Sequence, residues 1–436
     1  MTERLGNWAG NIDFRARRLL RPRSVPELRS LVAGSDRIRA LGTGHSFNRI
    51  ADTTGDLVSL ADLSPVLEID SASATVTVSA GTRYGELVAP LHRAGFALHN
   101  LGSLPHISVA GACATGTHGS GPGNGSLSTA VAGLELVTAD GDLVTLRRAD
   151  GGDFLGAVVG LGALGVVTRL TLDLVPAFEI AQHVYDDLPR DQLDAHPAEI
   201  LGAGYSVSLF TDWTGPRINQ VWVKRRLDPD GGGEPHRHGG AEPHRHDGVE
   251  SPWYGATPAA EPRHPVPGMS AVHCTEQLGV PGPWHARLPH FRLEFTPSSG
   301  EELQSEFFVP RERLVDALAA LDGIADRIAP VLQISEIRTI AADELWLSPC
   351  YRRDSAALHF TWVKETEAVL PVVAAVEQRL APFGPRPHWG KLFVTPPEQL
   401  HDSYDRYADF AKLIRRYDPA GKFRNEMLDR CFPTTG

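Results

Sequence analysis

Apolar residues recur along the chain with two different periods, and the switches between them mark out its elements. Ser24-Val25-Pro26-Glu27 has the form of a capping box, in which Ser24 accepts from an early helix N–H and Glu27 reaches back. Val25, Leu28, Leu31 and Val32 then line one face of a helix, and Ile38 to Leu41 follows as a short strand. Val66 to Ile69 and Thr75 to Val78 are β-branched runs separated by Asp70, Ser71, Ala72 and Ser73, which predicts a hairpin. Tyr84 to Arg93 is a helix burying Leu87, Val88 and Leu91, with Gly95 placed for a left-handed cap. A second hairpin, Leu134 to Thr138 and Leu143 to Leu146, turns at Asp140-Gly141, and Val166 to Val175 is a further apolar strand. Short helices among hairpins predict an α+β region ending near Pro176 rather than strict βαβ alternation.

Beyond Pro176 the strand signals are Tyr205 to Phe210, Gln220 to Lys224, Ile334 to Thr339 and Leu358 to Val363. Leu314, Leu318, Leu321 and Ile328 mark one helix, with others over Ala368 to Leu380 and Tyr404 to Tyr417. Residues 228–268 break the pattern with glycine, proline and a near-repeat, Glu234-Pro235-His236-Arg237-His238 and Glu242-Pro243-His244-Arg245-His246. The interleaved arginines repel a dication and the prolines disfavour a compact cage, so a surface insertion is expected and no metal site. The expected division is residues 1–176 and residues 177–436, with 228–268 as an insertion in the second.

Two small-residue loops stand out. Arg39-Ala40-Leu41-Gly42-Thr43-Gly44-His45-Ser46-Phe47-Asn48 runs from a strand into a glycine-spaced turn, where the N–H groups of Thr43, Gly44, His45 and Ser46 can point into one concavity. Ser108 to Gly121 is a second run of Gly, Ala, Ser and Thr. Neither matches the G-x-G-x-x-G or P-loop patterns, and Asn48 occupies the place where a hydrolase elbow needs glycine. Either loop alone is compatible with an ordinary tight turn. Two donor-rich loops in one region suggest a long phosphorylated ligand such as a dinucleotide.

A chain of 436 residues exceeds the usual size of one core, and 42% hydrophobic with 22% charged residues is ordinary for a globular protein. The net charge of −11, without a large basic cluster, argues against a nucleic-acid partner. Residues Met1 to Trp8 lack the apolar core of a signal peptide and no run is long enough to span a bilayer, so a cytoplasmic protein without a membrane partner is expected. Cys113, Cys274, Cys350 and Cys431 form no C-x-x-C pair.

In a strand, Glu336 and Arg338 share one face, as do His359 and Thr361. Such a polar face is costly to bury unless the groups pair or meet a ligand, and a purely structural ion pair satisfies the same pattern. Lys391 follows Gly390, which permits close backbone approach, although an exposed lysine is the commoner case.

Taken together, Gly42-x-Gly44-His45-Ser46-Phe47-Asn48, Ser103 to Gly111 and Ala114 to Gly121 resemble the vanillyl-alcohol oxidase-type FAD proteins. Within them the chain looks most like the bacterial alditol oxidases, relatives of the gulonolactone and arabinonolactone oxidases. Glu336-Ile337-Arg338, His359 to Trp362, His388 to Lys391 and Asp418 to Phe423 extend the resemblance over nearly the whole chain. It implies a two-domain FAD-binding fold of the vanillyl-alcohol oxidase (PCMH) type, α+β, with an α/β substrate domain and a C-terminal segment that returns to the flavin.

The resemblance further implies FAD bound by Leu41, Gly42, Thr43, Gly44, His45, Ser46, Ser103, Ser108, Gly111, Ala114, Thr115, Gly116, Thr117 and Val167, with His45 joined to it covalently. Ser103, Glu336, Arg338, Thr361 and Lys391 would hold a polyol, with Lys391, His359 and Arg338 as the catalytic set. The implied reaction is oxidation of a terminal primary alcohol, with dioxygen reduced to hydrogen peroxide, by an expected monomer. Gly102, just before Ser103, stands where related lactone enzymes gate oxygen; alternatively it serves a backbone with positive φ. The rival readings are a sugar-lactone oxidoreductase on the same fold, a hydrolase using Ser46 or Ser120, and a sugar-binding module.

Overall fold

The computed structural model describes residues 5–227, 253–295 and 301–433, together with the backbone of two short strands, Arg245–His246 and Val249–Glu250. The helix Val25–Gly34 begins at Ser24, whose Oγ accepts from Glu27 N at 3.3 Å. The return bond differs from the expected box: the Glu27 carboxylate takes the N–H of Arg23, at 2.7 Å. Leu28 and Val32 are buried against Ile38, Val58, Val166 and Phe423. This small core fixes a parallel three-stranded sheet, in the order Arg18–Leu20, Asp56–Val58, Ile38–Ala40.

Both predicted hairpins form and join one five-stranded antiparallel sheet, in the order Leu67–Asp70, Thr75–Ser79, Val166–Asp173, Val131–Val137, Leu143–Arg147. The larger layer is a nine-stranded sheet. Its central strands run Glu179–Pro189, Arg217–Leu227, Ser206–Thr211, Leu332–Ile340, Ser355–Val363, Glu302–Pro310, and short strands add to its edges. Every pairing in it is antiparallel, so this half is α+β rather than the α/β expected for it. Helices Leu314–Asp322 and Thr366–Leu380 pack against the strand Glu302–Pro310.

Several expectations are corrected. The helix expected to reach Ile328 breaks at Gly323 into Leu314–Asp322 and Ala325–Ile328. The last long helix starts at Tyr407, because Tyr404 closes a separate helix, Pro397–Ser403. The histidine-rich repeats lie outside the described residues, apart from the backbone of Arg245–His246. Residues 253–268, counted in the surface insertion, are built into the fold: Trp253 stacks on Tyr185 with centroids 4.7 Å apart, and Thr257–Pro258 pairs with Glu179–Pro189.

Three seams bring the layers together. Gly121 N donates to Thr339 O at 2.8 Å and Ala341 N to Asn124 O at 2.9 Å, tying the second small-residue loop to the strand Leu332–Ile340. Phe47 N donates to Gly390 O, and Asn48 Nδ2 bonds the carbonyls of Trp389 and Lys391, which clasps the histidine loop to the Lys391 turn. Finally the C-terminal segment comes back: Ile38 N donates to Lys422 O, and Lys422 Nζ is held by the carbonyls of Val32, Ala33 and Ala139.

Candidate active site

Where these seams meet, a cleft of about 1020 Å³ opens between the layers, at the upper end of the range for small-molecule sites. One wall is made by the two small-residue loops. They approach closely through Ser108: a Cβ on Gly42 would come within 2.6 Å of its Oγ and one on Gly111 within 2.8 Å. Gly44 takes φ +71°, the left-handed region that turns the chain toward the cleft. Among the described residues, the backbone N–H groups of Thr43, Gly44, His45 and Ser46 donate no backbone hydrogen bond within the chain. Leu41, Gly42, Thr43, Gly44, His45, Ser46, Ser103, Ser108, Gly111, Ala114, Thr115, Thr117 and Val167 all line the cleft. Gly116 does not; with φ +69° it turns behind the wall against Pro349.

The wall fits a dinucleotide with a flat ring system. It offers unpaired backbone donors, little side-chain bulk and an imidazole. The His45 ring stacks on Trp8 at 5.1 Å with an 18° tilt, and its buried Nδ1 has no partner in the chain. Burial, with His106 nearby, pulls His45 down to about 4, so the ring is neutral.

The facing wall is polar and comes from the nine-stranded sheet. Glu336 and Arg338 lie on one face of Leu332–Ile340, and His359 and Thr361 on one face of Ser355–Val363, as alternation predicts. Cross-strand register puts Glu306 and Glu336 on either side of His359.

Glu306, which sequence reasoning missed, is the hub. Its Oε1 accepts from Arg338 Nη2 at 2.7 Å and its Oε2 from Lys391 Nζ at 2.7 Å, while His118 Nε2 lies 3.2 Å from Oε1. Burial alone would raise this carboxyl, but Lys391, His118 and Arg338 outweigh it and hold Glu306 well below the usual range. Lys391 Nζ also lies 2.7 Å from His359 Nδ1, and His359 Nε2 lies 3.1 Å from Thr361 Oγ1. Burial, then Lys391, pushes His359 down to about 3, leaving a neutral imidazole against the lysine. Burial also lowers Lys391, against the pull of Glu306.

Glu336 Oε1 meets His290 Nε2 at 2.8 Å, and its Oε2 lies 3.6 Å from Arg338 Nε. His290 was not foreseen either, since it sits in a loop without periodic signal; its backbone N–H donates to Ser103 O at 3.2 Å. The one legible sign of Glu306 was the row Glu302, Gln304 and Glu306 at alternate positions, all of which line the cleft.

The arrangement can bind several hydroxyl groups at once and hold or move a proton at Lys391 and His359, beside a wall shaped for a cofactor. Ser120 supports no hydrolase: it is buried against Ser206 Oγ. Among the described residues no group of side chains could hold a metal ion, and no helix is long and apolar enough to cross a membrane.

Residues 16–147 match the FAD binding domain family and residues 300–431 the D-arabinono-1,4-lactone oxidase family. An alditol oxidase of a Streptomyces species is 52% identical over 431 residues, covering 98% of this chain and 99% of that one. An L-gulono-1,4-lactone dehydrogenase of Mycobacterium tuberculosis is 28% identical, covering 97% and 98%. The cholesterol oxidase of B. sterolicum, 15% identical, superposes with a TM-score of 0.75 over 99% of this chain and 96% of that one, a likeness of fold. A relative at 52% identity over nearly the full length of both chains, with the match to the FAD binding domain family, places the chain in the alditol oxidase family of FAD-binding flavoproteins.

Proposed function

We propose that the protein oxidises the terminal primary alcohol of small polyols of the xylitol and sorbitol kind to the aldose, with dioxygen as the final acceptor and hydrogen peroxide as the product. The observation that carries this reading is the polar wall: Glu336, Arg338, Thr361, His359 and Lys391 converge on one face of the cleft, more polar partners than a simple alcohol can use. When bound, FAD supplies the two-electron acceptor for the hydride leaving the carbinol carbon and passes the electrons to dioxygen.

Residues 1–176 hold the cofactor through the loop residues named above, with His45 as the point of covalent attachment, and residues 177–436 form the substrate half. Ser103, Glu336, Arg338 and Thr361 orient the polyol. Lys391 and His359 assist removal of the alcohol proton as the carbon–hydrogen bond breaks, and Lys391 offsets negative charge that develops beside it. The chain works as a cytoplasmic monomer.

A second reading, a sugar-lactone oxidoreductase, is favoured by the match of residues 300–431 to the D-arabinono-1,4-lactone oxidase family. Offering the purified protein xylitol, sorbitol, propanol and a γ-lactone separates the two. The polyols are expected to bleach the flavin absorbance and yield peroxide, with propanol a poor substrate. Turnover of the lactone alone would overturn the alditol reading, and bleaching without peroxide would make the protein a dehydrogenase.

A further inference from the structure

Behind the polar wall lies a lysine that does not line the cleft. Lys224 sits on the central strand Arg217–Leu227, is 1% exposed, and places Nζ against three acceptors: Leu288 O, Pro289 O at 3.3 Å and His290 Nδ1 at 3.2 Å. Three acceptors match the three N–H bonds of an ammonium group, whereas a neutral amine leaves one of them unpaired.

The proton on His290 is then dictated. Glu336 is ionised and can only accept, so His290 Nε2 carries the hydrogen it donates to Oε1, and the bare Nδ1 must accept from Lys224. The ring cannot swing away, because Phe210 and Trp222 meet it edge-on at 5.6 and 5.2 Å. With Oε1 of Glu336 bonded to His290, Oε2 is the oxygen that lies beside Arg338.

We propose that Lys224 and His290 form a positioning relay that keeps Glu336 turned so that Oε2 meets the polyol, making polyol affinity depend on the protonation of a lysine that never touches substrate. The inference rests on the alditol reading for the role of Glu336.

The charged neighbours agree on which group titrates. Lys224 faces His290, Cys274, Glu336 and Arg338. Burial, then Lys224, pulls His290 down to about 4, and burial pushes the Cys274 thiol up to about 12. Glu336 stays ionised, because Arg338 and His290 outweigh its burial, and the Arg338 guanidinium is raised by Glu336 and Glu306 against its own burial. Lys224 itself is pulled by burial to about 7, partly offset by Glu336. Lys391, also lowered, faces Glu336 across Arg338 and would add its own titration to the rate of reduction, so the two are separated by mutation.

The test is anaerobic stopped-flow reduction of the flavin by xylitol between about pH 6 and 9, which yields a limiting rate and an apparent dissociation constant separately. In the wild-type protein the dissociation constant is expected to rise with pH. Lys224→Met is expected to raise it about tenfold at the acid end, to flatten its pH dependence and to leave the limiting rate within a few-fold. His290→Gln, which keeps a donor for Glu336 but cuts the link to Lys224, should flatten the same profile. The thermal stabilisation that anaerobic xylitol confers should fall in both variants.

A wild-type dissociation constant independent of pH, or a Lys224→Met protein with wild-type affinity and pH profile, overturns the relay. Should Lys224→Met fail to retain FAD, the His290→Gln profile decides: flat supports the relay, wild-type-like overturns it. If polyols leave wild-type flavin oxidised and a γ-lactone reduces it, the alditol reading falls, and the same comparison made with the lactone still decides the relay.

Discussion

Glu306 Oε2 and Lys391 Nζ, 85 residues apart in sequence, lie 2.7 Å from each other at the floor of the cleft, and the carboxylate is completely enclosed. Lys391 is therefore a cation positioned by a buried anion rather than an exposed side chain that reaches in. Glu306→Gln removes the charge that compensates both Lys391 and Arg338 and is expected to cost about 3 kcal/mol or more of stability. Urea unfolding measures this, and a loss under about 1 kcal/mol would show that the two cations have found other compensation.

Lys391→Met keeps the length of the side chain and removes its charge and donors. Turnover of xylitol is expected to fall about 100-fold or more, while the flavin-to-protein absorbance ratio changes little. Near-normal turnover would remove Lys391 from the catalytic set.

Covalent attachment through His45 predicts that trichloroacetic acid precipitates a yellow pellet and that His45→Ala leaves any colour in the supernatant. Wild-type colour in the supernatant would disprove the bond without touching FAD binding.

Acid should unfold the protein in two stages. Folded His45 and His290 are held at about 4 and His359 at about 3, below the ordinary 6.5, so as pH falls through 6.5 the unfolded chain takes up protons that the folded chain refuses and stability drops. Glu306 and Glu336 are held below the ordinary 4.5; their stabilisation is complete above that value and drains away as pH falls toward their folded values. A melting temperature that declines from pH 7 to 6 and steepens below 4.5 is expected from scanning fluorimetry. A flat profile down to pH 4 would contradict both stages.

Gly102 has no positive φ, so the backbone-strain alternative is set aside. A Cβ there would sit 3.7 Å from Ile107 Cδ1, 3.8 Å from Thr117 Cγ2 and 3.9 Å from His118 O, ordinary contacts. Gly102→Ala should therefore change stability by less than about 0.5 kcal/mol. If the position controls access of oxygen, the variant is reduced by xylitol at a near-normal rate but reoxidised more slowly. Equal losses in both half-reactions would mean a displaced substrate instead.

What could be read without coordinates follows from range. Alternation within one strand is local, so Glu336 with Arg338 and His359 with Thr361 were legible as pairs, as were both hairpins and the cap at Gly95. Glu306 was not: its strand shows a polar row of the kind usually turned to water, and its burial depends on Arg338 and Lys391, 32 and 85 residues away. Lys224 ends an apolar run, Val221-Trp222-Val223, and its ammonium is satisfied by carbonyls of a proline-bounded loop 64 residues on, which no periodicity announces. The long strand Glu179–Pro189 escaped because its buried positions do not alternate cleanly: Ile180, Ala181 and Gln182 are buried in succession.

The return of the C-terminal segment sets an order of events in biosynthesis. Arg39, at the mouth of the loop that carries His45, bonds Phe423 O across 384 residues, and Asn425 Nδ2 closes on the carbonyls of Arg49, Ile50 and Asp52. During translation that loop stays unsealed until residues 418–431 have left the ribosome, long after the hairpins that flank it can form. Contacts of such sequence separation are slow to close, so flavin capture is expected late in folding. Substitution of Asn425, which caps the last helix, Glu426–Cys431, is consequently expected to lower flavin content more than it alters substrate choice.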